Sequence, residues 1–123
     1  MPAMRYAVVV QLTALFITIG IECCVASVFF FAGRVDNRWR NLLIVAATNV
    51  VTHTLFWRLP WSALGWPPAQ AITILAAEVG IALLEAIVCW RLVGLPRWEA
   101  LGLAIVMNGG SFGLGPIALA YVV

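Results

Sequence analysis

The chain has little charge, and what it has is unevenly distributed. Only 10% of its 123 residues are charged, whereas 64% are hydrophobic and the mean hydropathy is +1.06. Soluble domains carry about 25% charged residues, so this composition indicates that almost the whole chain lies in lipid. There is no lysine, and a formal net charge of +2 is too small to indicate a nucleic-acid partner. We expect an all-α integral membrane protein that forms a single domain over residues 1–123.

Cysteine and histidine are also scarce. The three cysteines all fall within apolar stretches, so no loop cysteine is available for an extracellular disulfide, and no pair has zinc-site spacing. His53 is the only histidine, whereas a zinc hydrolase usually has two on one helix. The sequence has no Gly-rich phosphate loop, nucleophile elbow or redox motif. These absences identify no resident cofactor and make an intramembrane enzyme the least favoured class.

Four apolar stretches predict membrane-spanning helices at about residues 6–31, 42–57, 71–92 and 101–122. The first is too long for the apolar core of a signal peptide and no clean cleavage site follows it, so we expect a retained helix. Three tryptophans around the loop after the second span suit anchoring at the membrane–water interface: Trp57, Trp61 and Trp66. The predicted architecture is a four-helix bundle in the lipid bilayer.

The third span is unusual because it carries two acids, Glu78 and Glu85. Their spacing is close to two helical turns, which puts both carboxyls on one helix face, about 10 Å apart along the axis. Each acid in a spanning helix costs roughly 2.5–3.5 kcal/mol, so such groups normally turn toward a protein interior or a wet cavity. We expect this face to be the polar centre of the bundle.

Each of the other spans brings polar groups that can meet this face. Depth is measured here from the helix ends at the loops after the first and third spans, which we expect in the cytoplasm. A first layer then lies roughly 9–12 Å deep and takes an acid or an amide from every span: Glu22, Asn49, Glu85 and Asn108. A second layer, at roughly 18–20 Å, pairs His53 with Glu78. Ser111 shares a helix face with Asn108, as His53 does with Asn49. We predict that all seven residues meet in one interior.

The predicted cluster has the chemistry of a cation site. Chains of acids and histidine are typical of proton relays and cation paths in membranes. Carboxylate, imidazole and amide oxygen could also hold a divalent metal ion. In a purely structural role the same hydrogen bonds would only hold helices together, at about 0.6 kcal/mol per bond, and three buried acids are costly for that purpose. We therefore predict an oligomeric protein that binds or conducts a cation. The alternative is a non-catalytic accessory subunit of a larger membrane complex.

Small residues in the fourth span indicate close helix packing. Gly109-x-x-x-Gly113 and Ser111-x-x-x-Gly115 form ridges that allow two helix backbones to approach each other. The partner helix could belong to the same bundle or to another protomer. We predict a packing role for Gly109, Gly113 and Gly115.

Two resemblances bear on these positions. Over the last three spans, the patterns N-x-x-T-H, E-x6-E and N-x-x-S resemble those of small uncharacterised bacterial membrane proteins, to which no activity is attached; they contain Asn49, Thr52, His53, Glu78, Glu85, Asn108 and Ser111. Four spans with an acid in the first also resemble the small multidrug-resistance exporters in architecture. That family has one membrane Glu, followed by a threonine and a lysine, whereas Glu22 is followed by Cys-Cys-Val. The analogy is therefore limited to a dimer that shares an intramembrane acid.

The arginines predict the orientation of the chain in the membrane. Two arginines, Arg5 and Arg58, lie at the N-terminus and beside the Trp-rich loop. The other five lie around the loops after the first and third spans: Arg34, Arg38, Arg40, Arg91 and Arg97. Because cytoplasmic loops are enriched in basic residues, we expect these two loops in the cytoplasm and both termini outward. The bacterial resemblance places the expected location in the inner (plasma) membrane.

Overall fold

The protein is helical throughout its described length except at short turns. A computed structural model describes residues 2–58 and 67–122, with side chains for 8–58 and 71–122. Within these ranges a π-helical turn at Cys89–Val93 continues the third of four long helices: α1 (Pro2–Ala32), α2 (Arg38–Trp57), α3 (Pro67–Val88) and α4 (Arg97–Val122). The all-α prediction is confirmed. Trp61 and Trp66, two of the predicted interface anchors, lie outside the described residues.

The helices begin and end where local residue chemistry allows it. α3 begins at Pro67, because a first-turn proline gives up only a backbone N–H that has no partner within the helix. The π-helical turn ends at Gly94, whose φ of 86° is a left-handed conformation that glycine adopts without strain. α2 begins at Arg38, about one turn before the predicted start of the span at residue 42, so the helix includes polar residues ahead of the apolar stretch.

Three helical segments in the described part are long and apolar enough to cross a membrane: Val8–Ala32, Ala71–Val93 and Arg97–Val122. This supports a multi-pass membrane protein. α2 does not belong to this set. It is the shortest of the long helices and carries Arg38, Arg40, Asn49 and His53, which make it more polar than the others. Its predicted role as a fourth span stays a prediction.

The distribution of polar side chains is the reverse of that in a soluble protein. Large apolar side chains face outward; Phe16, for example, is 70% exposed and Leu43 is 71% exposed. The buried polar side chains come from all four helices: Glu22, Asn41, Asn49, Thr52, Glu85 and Asn108. Lipid accepts an apolar exterior but cannot satisfy polar groups, so this distribution suits a chain whose solvent is a bilayer.

Helix packing is tight on one side of the protein and loose on the other. α1 packs along both α2 and α4, and α3 packs along α4, whereas α2 and α3 pack together least among the neighbouring helices. α2 and α3 are joined at the arginine-rich end, where Arg40 Nη2 donates to the Leu92 carbonyl over 3.2 Å. An apolar core fills this end of the structure: Ala26, Phe30, Val45, Cys89, Leu103 and Met107.

One glycine of α4 makes a close contact within the chain, and it is not one of those predicted. A Cβ atom at Gly110 would lie 3.5 Å from the Ile21 side chain of α1. At Gly109, Gly113 and Gly115, no such neighbour lies within 4 Å in the described part of the chain. The described structure therefore does not show these three glycines packing against another helix of the bundle. Their other predicted role, between protomers, stays a prediction.

A leucine in place of Gly110 should destabilise the fold. Gly110→Leu would push its side chain into α1 and cost about 1–3 kcal/mol, the usual range for overpacking a close contact. Gly113→Leu is the matched control on the same helix, because the space around Gly113 is open. Unfolding in mixed detergent micelles measures both variants. Equal stability of the two would contradict the α1–α4 contact, and a loss of oligomers in Gly113→Leu alone would support the protomer contact.

Candidate functional site

The polar side chains surround a single cavity of about 130 Å³ between the four helices. That volume is enough for several water molecules. All seven predicted site residues line it: Glu22, Asn49, His53, Glu78, Glu85, Asn108 and Ser111. They meet because each lies on a face of its helix that turns toward the cavity, over about two helical turns.

Glu22 of α1 is fully hydrogen-bonded by neighbouring helices. Asn49 Nδ2 of α2 donates to Glu22 Oε2 over 2.7 Å, and Ser111 Oγ of α4 donates to Glu22 Oε1 over 2.8 Å. Asn49 Nδ2 also reaches the Val45 carbonyl of its own helix at 3.1 Å, which fixes the amide orientation. Glu22 is only 1% exposed, so its carboxyl ties three helices together inside the protein.

Glu85 of α3 is only half satisfied. Asn108 Nδ2 of α4 donates to Glu85 Oε2 and also to the Ala104 carbonyl of its own helix, the latter at 2.9 Å. Glu85 Oε1 is buried and has no hydrogen-bond partner. The residue as a whole is 3% exposed. Buried polar atoms almost always have a partner in native proteins, so the unpartnered oxygen of this cavity-lining residue is a position that a water molecule, a proton or another ligand can occupy.

His53 pairs with a tryptophan and not with the expected acid. Trp57 Nε1 lies 2.7 Å from His53 Nε2, and because an indole N–H can only donate, Nε2 is the acceptor. The same nitrogen lies 3.3 Å from the Gln11 carbonyl, but it then has no hydrogen left to give to that oxygen. No hydrogen bond or ion pair joins His53 to Glu78 in the described structure. Both residues line the cavity.

Sequence reasoning assigned Trp57 to the membrane interface and missed its place in the site. Trp57 lines the cavity as well as bonding to His53. The i, i+4 spacing of the two residues was the available signal, because such pairs face each other on a helix. Two further tryptophans are exposed at the arginine-rich end and were not among the predicted interface anchors, Trp39 (75% exposed) and Trp98 (84% exposed).

The cavity continues into two further hollows. One, of about 220 Å³, lies between α2 and α3 and shares Thr52, Phe56 and Ile81 with the cavity wall. The other, of about 210 Å³, runs along α1, α3 and α4 and shares Glu78 and Ser111 with it. The polar interior is thus bordered by a lateral hollow at the loose α2–α3 contact and by a second hollow toward the ends where α1 begins and α4 finishes.

The donor set of the cavity limits what it can hold. No group of three or more His, Cys, Asp or Glu side chains in the described residues is arranged to hold a metal ion. Two of the three acids, Glu22 and Glu85, are instead each paired with an amide, which leaves fewer oxygens free for the six or more ligands of a hard divalent ion. A cavity lined by carboxyl, amide and hydroxyl groups, with room for water, is better suited to conducting a proton than to holding a divalent metal ion.

The comparisons with known proteins identify no relative. No protein-family model, no curated protein and no solved structure matches this chain.

Proposed function

We propose that the protein binds and conducts a small cation, with a proton as the best-supported cargo. The observation that carries the proposal is the unpartnered Oε1 atom of Glu85, buried on the wall of a polar cavity. A buried carboxyl oxygen without a donor is costly to maintain, and a proton or a hydrated cation at that atom removes the cost. Glu85 would be the binding group and Glu22 and Glu78 its neighbours along the path.

The described cavity wall has acidic side chains without a positively charged partner, and this strengthens the proposal. Three acids line the cavity, whereas no arginine is among the lining residues in the described part of the chain. His53 does not supply the charge in this geometry, because its Nε2 accepts a hydrogen bond from Trp57. Buried carboxylates are stable only when they are paired with a cation or neutralised. We infer that a proton or another cation from outside the described part of the chain neutralises these carboxyls, which is what a carrier or channel for cations requires.

The proposal includes the finer points of architecture. α2 would be a fourth span, short enough to lie with little tilt and held inside the protein by its polar face. The arginine-rich end would face the cytoplasm of a bacterium, with both termini on the outer side of the inner membrane. Because one chain offers a narrow path, we propose that the working form is a homo-oligomer.

Proton flux into liposomes tests the proposed function. The purified protein is reconstituted with a pH-sensitive dye inside the vesicles, and a potassium diffusion potential is imposed with valinomycin. We expect the vesicle interior to change pH faster than in protein-free vesicles, with a rate proportional to the amount of protein. Vesicles that contain a sodium-sensitive or magnesium-sensitive dye, with an excess of that ion outside, test the other cations. Rates equal to those of protein-free vesicles for every cation would reject the proposal.

A second candidate is an accessory subunit of a larger membrane complex. The observation in its favour is an apolar groove of about 590 Å³ along α1 and α4, which includes Val28, Phe29 and Val106. A helix of a partner protein could occupy such a groove. Purification of the tagged protein in gentle detergent, followed by native mass measurement, separates the two candidates. A stoichiometric larger partner would favour the subunit, and a homo-oligomer alone would favour transport.

A further inference from the structure

The two halves of the chain carry the same polar pattern in the same order. α2 and α4 each begin with Arg-Trp and carry Asn-x-x-Thr or Asn-x-x-Ser at the same distance further on: Arg38, Trp39, Asn49 and Thr52 in α2, and Arg97, Trp98, Asn108 and Ser111 in α4. The helix before each of them carries one buried acid, Glu22 in α1 and Glu85 in α3. The chain therefore contains two hairpins of the same design, α1–α2 and α3–α4.

The structure places matching residues in matching environments. The Asn41 N–H donates to the Asn37 carbonyl and the Ala100 N–H to the Pro96 carbonyl, both over 2.9 Å, at the same point of the two turns. The side chains on the inward faces are buried at equivalent positions: Asn41, Val45 and Asn49 in α2, and Ala100, Ala104 and Asn108 in α4. Parallel repeats of this kind, related by an axis along the membrane normal, are a common design in transporters.

The two acids have equivalent hydrogen bonds inside their own hairpins. Asn49 donates to Glu22 Oε2 and Asn108 donates to Glu85 Oε2, each from the helix that follows the acid. Each asparagine also donates to the carbonyl four residues before it. Each hairpin thus contributes one half-site, made of a carboxyl and the amide that orients it.

The hydrogen bonds that could cross from one hairpin to the other are not equivalent. Ser111 Oγ crosses from the second hairpin and donates to Glu22 Oε1 over 2.8 Å. Its counterpart Thr52 does not cross to Glu85 and donates instead to carbonyls of its own helix, at 3.0 and 3.3 Å. Glu85 Oε1, the atom that Thr52 would reach by symmetry, is the buried oxygen without a partner.

Helix packing is unequal in the same sense. The contact between α1 and α4, which the Ser111–Glu22 hydrogen bond crosses, is the most extensive helix contact in the described structure. The equivalent contact between α2 and α3 is the loosest, and a hollow of about 220 Å³ lies there, lined by Thr52, Leu55, Gly80 and Leu84 among others. One of two equivalent contacts is therefore closed and the other open.

Building on the proposed function, we infer that Glu22 and Glu85 are two equivalent half-sites for one cation, and that the cation enters at Glu85 beside the open α2–α3 contact. Thr52 is the positioning residue of that half-site, as Ser111 is of the other. When a proton binds at Glu85 Oε1, α2 closes on α3 and the protonated oxygen donates to Thr52 Oγ1. The α1–α4 contact then opens, so that the cation moves from Glu85 to Glu22 and one positive charge is transferred in each cycle.

The test removes one hydroxyl at a time in the liposome flux assay. Thr52→Val keeps the side-chain shape and removes the hydroxyl, and we expect it to lower proton flux about tenfold or more, as Ser111→Ala should. Thr52→Ser keeps a hydroxyl and should retain most of the flux. Thr54→Val is the matched control, because Thr54 Oγ1 also donates to a carbonyl of its own helix, over 2.6 Å, but faces outward.

The outcomes separate this inference from the proposed function. If the structure described here were the only state, Thr52 would bond only to its own helix, and Thr52→Val would behave like Thr54→Val. That result, with normal flux in the unchanged protein, would overturn the two half-sites and leave the proposed function standing. A lack of flux in the unchanged protein would reject both. Helix content and detergent elution, measured for each variant, identify a loss of flux caused by misfolding. If Thr52→Val misfolds, the proton flux of Thr52→Ser is compared with that of the unchanged protein to test whether a hydroxyl at this position suffices.

Discussion

Glu85→Gln should reduce proton flux at least about a hundredfold, which corresponds to about 2.7 kcal/mol in the barrier. The substitution preserves the shape of the side chain, so the hydrogen bond from Asn108 to the Oε2 position can still form. What it removes is the group that can take up and release a proton. The readout is the rate of pH change inside vesicles that contain equal amounts of folded protein.

Glu99→Gln is the control for this prediction. It makes the same chemical change and the same change in net charge, but Glu99 is exposed on α4 and does not line the cavity. We expect its flux to match that of the unchanged protein. A Glu85→Gln variant that conducts as fast as Glu99→Gln would remove Glu85 from the path. Equal loss in both variants would instead indicate a general effect of charge on reconstitution.

The site could be predicted from the sequence because membrane helices restrict where polar groups lie. A polar residue in a spanning helix turns away from lipid, and helical rise gives its depth. Glu22, Asn49 and Asn108 were assigned to one layer on this basis, and the structure joins Glu22 to Asn49 by a hydrogen bond. Depth and face do not determine partners, however. Glu78 was expected to pair with His53, but His53 pairs with Trp57, which lies one turn away on the same helix.

Unequal packing is the feature that the sequence could not predict. Gly109 and Gly113 have the spacing of a packing ridge, but Gly110, between them, is the glycine that contacts α1. Which face of a small-residue helix meets its neighbour depends on the rotation of the whole helix, and one residue changes it by about 100°. The loose α2–α3 contact depends in the same way on how four helices share space. Helix content and the identity of the buried acids follow from local sequence, whereas the open contact does not.

Asn108→Leu should destabilise the protein by about 1–3 kcal/mol, because it removes the only hydrogen bond that the described residues give to the Glu85 carboxyl and leaves both of its oxygens unpartnered in the interior. The cost arises from the orphaned acid and not from the loss of the amide itself. The double variant Glu85→Leu/Asn108→Leu should therefore recover most of the stability, since replacing both members of a buried polar pair by apolar groups is often close to neutral.

Reversible unfolding in mixed detergent micelles measures this cycle, with each single variant, the double variant and the unchanged protein. A positive coupling of about 1 kcal/mol or more between the two positions is the expected result. Additive effects would mean that the pair contributes nothing as a pair. The double variant should also be stable and inactive in the flux assay. A double variant that is stable but has no flux would separate the structural role of the pair from its role in conduction. If the pair served only to hold helices together, an apolar pair of similar size would replace it without loss of function.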